Sequence, residues 1–183
     1  HTGYYGIGYG LGMTISGMVD GLTLGVYGDT REVGATQGGS ANTDKAQDEF
    51  TGTWYAKFST GPVSIGYQTS YYDSGLTGSA VDAASPATVG TSSGVFEAES
   101  MSIAFNVNDN LSLSWTDTED VYDAQDNAST AVADVSKDTD ALQIAYSMGG
   151  MSIKAYRMEE SNPNYDSDAA SSEKSEISLG LAF

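Results

Sequence analysis

The chain is built from segments in which apolar residues alternate with small or polar residues at period two. Successive side chains of a strand point to opposite faces. The segment SEISLGLAF at 175–183 therefore places Ile177, Leu179, Leu181 and Phe183 on one side. Similar segments lie at 4–16, 22–31, 50–59, 63–72, 100–107, 111–116, 141–148 and 151–158. The pattern predicts an all-β chain of about nine strands, most of them near the ~9–11 residues that cross a membrane at a tilt.

Acidic residues are concentrated between these segments. The chain has 25 Asp and Glu against 7 Lys and Arg, a formal net charge of −18, yet 50–72 and 141–158 contain no acid. A soluble sheet carries charge along its solvent face, whereas here charge is expected to begin where the strands end. The acidic balance also argues against a nucleic-acid partner, because phosphates require basic contacts.

Composition and motifs exclude several kinds of site. The chain has no cysteine, and its one histidine is His1, so it offers no disulfide framework, thiolate metal site or credible serine–histidine pair. Neither a G-x-S-x-G nor an H-E-x-x-H pattern is present, and we predict no enzyme. Glycines at period two in 6–12 indicate a smooth strand face against which another segment packs, not a phosphate-binding loop.

The connections between the predicted strands alternate between short and long. Short connections lie at 17–21, 60–62, 108–110 and 149–150, and long ones at roughly 33–48, 73–98, 117–139 and 159–173. Long structureless loops are uncommon in compact soluble domains. Strict alternation is typical of barrels with tight periplasmic turns and long outer loops. We therefore predict one domain over 1–183, a transmembrane antiparallel up-and-down β-barrel.

The strand count gives this barrel a direction and a size. If the long loops are extracellular, the last strand runs inward and Phe183 ends at the periplasm. Bacterial single-chain barrels usually have an even number of strands. An odd count here predicts that the chain is the C-terminal part of a larger barrel, incomplete at its N-terminus.

Three stretches resemble the general diffusion porins of the Gram-negative outer membrane: SEISLGLAF, the hairpin built from YGIGYGLGMTI and GLTLGVYGD, and the hairpin ALQIAYSMGGMSIKAYRM. The glycine-rich and acid-rich style is most similar to the alphaproteobacterial branch. The resemblance implies a 16-stranded homotrimer surrounded by outer-membrane lipid and lipopolysaccharide. It also implies that Ile177, Leu179, Leu181 and Phe183 form the terminal signal read by the barrel-assembly machinery. The family's pore-narrowing loop is expected upstream of this chain.

Strand parity assigns the other candidate residues to two faces. Eight residues are predicted to line the pore: Tyr27, Arg31, Tyr55, Lys57, Gln68, Tyr72, Lys154 and Tyr156. Five aromatic residues are predicted at the membrane interface: Tyr5, Tyr67, Tyr71, Trp115 and Tyr146. The three bases would set a field across the pore, or else they merely solvate the lumen and pair with acids at its rim.

The acidic loops are candidate Ca²⁺ sites. The densest run, DTEDVYDAQDN at 117–127, offers oxygen ligands that suit Ca²⁺, directly or by bridging lipopolysaccharide phosphates. No stretch has EF-hand spacing, and the alternative is a solvated, self-repelling loop surface. We predict no other metal or cofactor.

The predicted function is passive diffusion of small hydrophilic solutes and ions through a water-filled outer-membrane pore. The net acidic charge predicts mild cation selectivity. The alternative is a secreted or surface-layer β-rich structural or adhesin protein without a channel, in which the Leu/Ile/Phe face packs against another sheet.

Overall fold

The chain forms one antiparallel sheet. The computed structural model describes residues 7–32, 48–75, 87, 94–123 and 133–182. In these ranges nine strands follow one another in chain order, each paired with the next. The strands are β1 (Gly8–Ser16), β2 (Leu22–Arg31), β3 (Glu49–Thr60), β4 (Val63–Asp73), β5 (Val95–Asn108), β6 (Leu111–Asp123), β7 (Val135–Met148), β8 (Met151–Glu160) and β9 (Ser172–Leu181). This confirms the predicted all-β, up-and-down arrangement and the strand number.

The short connections lie where the sequence predicts them. Two-residue turns separate β3 from β4, β5 from β6 and β7 from β8. Gly61 and Gly149 have φ angles of 53° and 57° in two of these turns, a conformation that favours glycine. In the third, the Asn108 side chain accepts hydrogen bonds from the backbone N–H groups of Asn110 and Leu111 at 2.9 and 3.0 Å. Turn chemistry thus fixes these hairpins locally.

The expectation that charge begins where the strands end is wrong, most clearly for three strands. β5 begins at Val95, β6 continues to Asp123, and β7 begins at Val135, so each extends five to seven residues beyond its predicted segment. The backbone ladder runs through acids such as Glu119, which the sequence placed in a loop. Because each strand needs only its neighbour's backbone to continue, acidic side chains do not end it.

The sheet is open. In the described part of the chain β1 pairs only with β2, and β9 pairs only with β8. Closure into a barrel is therefore not shown. The described residues also contain one 3₁₀ turn, η1 (Pro163–Tyr165), and no helix among them is long and apolar enough to cross a membrane.

Successive hairpins are staggered in one direction. Two successive register pairs connect each even-numbered strand with the next even-numbered strand. They place the first residue of one strand level with the third residue of the other: Leu22 with Ile65, Val63 with Leu113, and Leu111 with Ile153. Each hairpin is thus displaced by two residues from the one before, which is one residue per strand.

Candidate functional site

The register sorts the strand residues into two faces. One, the apolar face, carries large apolar side chains at alternate positions on every strand, including Leu11, Val26, Trp54, Ile65, Ile103, Leu113, Ile144, Ile153 and Leu179. The other, the polar face, carries small and polar residues at the intervening positions. One chemical character therefore continues across all nine strands on each side.

No core covers the apolar face in the described residues. Ile65, Ile103 and Ile144, near the middle of the sheet, are 46%, 44% and 42% exposed. Within the described ranges six hydrophobic residues are buried, and five of them form one cluster elsewhere. The face is thus a continuous exposed apolar surface, much larger than the patches that soluble monomers leave open to water.

Aromatic residues on the apolar face pack against one another. The rings of Phe50 and Tyr71 are 5.9 Å apart, and those of Trp54 and Tyr67 are 5.3 Å apart. The Tyr67 hydroxyl donates a 2.9 Å hydrogen bond to Glu99. Trp115 and Tyr146 lie on the same face, whereas Tyr5 is outside the described residues. Their assignment to a membrane interface stays a prediction.

An acidic margin borders the apolar face toward the long connections. The first charged residue on this side of each strand from β5 to β9 is Glu99, Asp117, Asp140, Arg157 and Glu173. Asp117 and Asp140 are direct partners, and like charges placed opposite each other are destabilising. Arg157 offsets the charge of two other acids on this side, through bonds of 2.9 Å to Glu173 and 2.6 Å to Glu159.

All eight residues predicted to line a pore lie on the polar face. The middle of this face is lined by small side chains on β4–β6: Ser64, Gly66, Ser102, Ala104, Ser112 and Ser114. Small polar residues keep a surface open and hydrated. The structure brings the predicted set onto one surface, and their role at a pore remains a prediction.

Charges on the polar face are balanced along the strands. The acids are Asp29, Glu49, Asp120, Glu160 and Glu176, and the bases are Arg31, Lys57, Lys137, Lys154 and Lys174. Arg31 forms an ion pair with Glu49. This pairing is what the alternative prediction, in which the bases pair with acids at the rim of the lumen, expects for Arg31. Among the described residues, Lys57 and Lys154 have no ion-pair partner and are exposed.

Tyrosines on the polar face lie over glycines of the neighbouring strand. A Cβ added to Gly12 would lie 3.0 Å from a ring carbon of Tyr27, and one added to Gly25 would lie 2.2 Å from a ring carbon of Tyr55. The glycines at period two in 6–12 were predicted to form a face that another segment packs against. Gly10 and Gly12 of this face lie against the Tyr27 side chain of β2. The glycines let these rings lie close to the wall of the sheet.

A buried cluster on the polar face was missed by the sequence reasoning. It consists of Ala87, Phe96, Tyr122, Val135 and Tyr165, each at most 4% exposed, and Tyr72 packs against it. The ring centroids of Phe96 and Tyr122 are 4.9 Å apart. Within 117–123 only Thr118, Val121 and Tyr122 favour a strand, and the four acids around them outweigh that signal.

The remaining predicted residues lie on the apolar face or outside the described residues. Ile177, Leu179 and Leu181 are exposed on the apolar side of β9, and Phe183 is outside the described residues. No group of three or more His, Asp or Glu within the described ranges is arranged to hold a metal ion. The run 117–123 lies in β6 and not in the predicted loop, with Asp117, Glu119 and Asp123 on the side of the apolar face and Asp120 on the polar face. The rest of that run, 124–127, is outside the described residues, and Ca²⁺ binding stays a prediction.

No protein-family model, curated protein or solved structure matches this chain.

Proposed function

We propose that the chain is part of an outer-membrane β-barrel porin that passes small hydrophilic solutes and ions by passive diffusion. The observation that carries the proposal is one continuous meander with an exposed apolar face on one side and a polar face on the other. In hydrocarbon, only helices and closed barrels satisfy their backbone groups. The unpaired edges of β1 and β9 would then be completed by further strands.

The hairpin stagger supports closure into a barrel. A barrel forms only when its strands are sheared relative to one another, so that they tilt from the axis. A shift of one residue per strand, with ~3.4 Å per residue and ~4.8 Å between strands, corresponds to a tilt of about 35°. This lies at the lower end of the ~35–45° range of membrane barrels.

On the strand where its uncharged stretch is longest, the apolar face is similar in height to the apolar band of an outer-membrane barrel. On β4, apolar-face positions run from Val63 to Tyr71 without a charge, which at this tilt gives a height of about 22 Å. Outer-membrane barrels have an apolar band ~25 Å tall. On β6 the stretch from Leu111 to Trp115 is shorter, so the band narrows toward β9.

The polar face fits a weakly selective, water-filled lumen. Its strand charges cancel, whereas the acidic excess lies at the margin of the other face. Cation preference would thus arise from the acidic margin and the loops more than from the wall, and it should weaken at high salt.

We expect stepwise, ohmic single-channel currents when the unheated, detergent-extracted full-length protein is added to a planar bilayer. A salt gradient should shift the reversal potential slightly toward cations, less at 1 M than at 0.1 M salt because charges are screened. Protein that inserts but never conducts would contradict the open pore. Protein that is soluble without detergent would instead favour a structural or adhesin protein whose apolar face packs on another sheet.

The two tryptophans provide a test of the apolar face. Trp54 lies in the middle of the apolar residues of β3, whereas Trp115 is followed on its face by Asp117. In lipid vesicles we expect brominated acyl chains to quench both: Trp54 most by deep bromines and Trp115 most by shallow ones. The variants Trp54→Phe and Trp115→Phe separate the two signals. Quenching of both by aqueous iodide, and of neither by lipid, would rule out a lipid-facing surface.

A further inference from the structure

The buried cluster lies on the polar face beyond the apolar band. Tyr72, Phe96, Tyr122 and Val135 are successive register partners on β4–β7, so they form one row across four strands. On β5 the uncharged part of the apolar face ends at Met101, because the next residue on that face is Glu99. Phe96, the residue of β5 in this row, lies five residues beyond Met101. These strands therefore continue past the apolar band as a wall whose polar side carries an aromatic row.

Tyr165 is held against this row from outside the strands. Its ring centroid is 5.1 Å from that of Phe96 and 6.0 Å from that of Tyr122. Lys137 Nζ lies 4.6 Å from the centre of the Tyr165 ring and also forms a 3.1 Å ion pair with Asp120. Burial and the nearby Asp120 carboxylate raise the pKa of the Tyr165 hydroxyl, which stays protonated at neutral pH. Aromatic packing and the cation together anchor the ring.

The backbone around Tyr165 is folded to permit this contact. Asn162, Asn164 and Tyr165 have φ angles of 42°, 59° and 56°, in the left-handed region that a tyrosine adopts only at a cost. The Asn162 side chain donates a 2.7 Å hydrogen bond to the Ser136 carbonyl, and the Ala87 N–H donates one of 2.8 Å to the Asn164 carbonyl. Contacts with two other parts of the chain thus offset the local strain.

We propose that residues 161–166, the inward segment, fold over the polar face and narrow the outer mouth of the pore beside β5–β7. This inference rests on the proposed function, because the polar face narrows a pore only if it lines one. A strand connection that pointed away from the sheet would leave the space above the polar face to solvent. The inward segment fills part of that space. Tyr165 is the positioning residue, and Asn164 is exposed at the surface of the segment.

A single introduced cysteine tests the position of the inward segment, because the chain has no cysteine of its own. We expect a bulky, membrane-impermeant methanethiosulfonate reagent added outside to cut the current of Asn164→Cys channels stepwise, by about a fifth or more. The matched control is Ser175→Cys, a neutral position exposed on the opposite face, whose current should not change when the reagent is added. An unchanged Asn164→Cys current, with labelling confirmed by mass, would overturn the inference while leaving the pore intact.

Releasing the anchor provides a second measurement. Tyr165→Ala should admit larger polyethylene glycols than the wild-type channel, whereas Tyr165→Phe, which keeps the ring, should retain the wild-type cut-off. Equal cut-offs in all three proteins would count against the segment as the narrow point. Wild-type protein that inserts without conducting would overturn the proposed pore and this inference with it.

Discussion

Ile103→Arg should sharply reduce stable assembly in lipid vesicles, while Ser102→Arg, one residue away, should leave it nearly unchanged. Ile103 lies on the apolar face between Ile65 and Trp115. An arginine on the lipid side of a barrel strand costs about 2–4 kcal/mol near the bilayer midplane. Ser102 points to the polar face between Gly66 and Thr116, where a long side chain can extend into water.

The measurement is the free energy of unfolding by urea from vesicles, together with the fraction of protein that becomes heat-modifiable on gels. Both variants add the same charge to the same strand, so net charge and local strand propensity are matched. Equal tolerance of both would mean that the apolar face does not lie in an apolar environment. Greater damage from Ser102→Arg would reverse the assignment of the two faces.

The Gly25→Ala variant should be destabilised by about 1–3 kcal/mol, the usual cost of overpacking. The new Cβ would lie 2.2 and 2.4 Å from two ring carbons of Tyr55, so the ring must leave its place over β2. Gly28→Ala is the matched control on the same strand, because its Cβ would meet its nearest atom, the Thr51 carbonyl oxygen, at 3.6 Å.

A double-mutant cycle separates crowding from loss of glycine. Since Tyr55→Ala removes the ring, Gly25→Ala should cost little in that background, and the coupling energy should be about 1 kcal/mol or more. The quantity to measure is again the free energy of unfolding in urea. Additive effects in the cycle would show that the close approach of Tyr55 and Gly25 does not contribute to stability.

The hairpins and the two faces were predictable because both depend on local chemistry. Alternation at period two fixes which side chains share a face, whatever the strand pairs with. Gly61, Asn108 and Gly149 mark turns through their own conformational preferences. β2 accordingly runs from Leu22 to Arg31, as its alternation predicts.

The extensions of β5–β7 were not predictable from local composition. Asp117, Glu119 and Asp120 have low strand propensity, and a run of acids ordinarily indicates a loop. Here the backbone ladder from the hairpin turns continues through them, and the row from Phe96 to Val135 gives the opposite face a buried anchor. Pairing between strands thus overrides the propensity of the single residue.

By itself the sequence determined the all-β meander, its short turns and the division of its side chains between two faces, because each follows from neighbours along the chain. Only the tertiary structure decided that Tyr165 packs beside Phe96 and Lys137, that Arg31 pairs with Glu49, and that the polar face is electrically balanced. These depend on register between residues distant in sequence. Hydrogen bonds across the sheet set that register, and a linear pattern of residue types does not contain it.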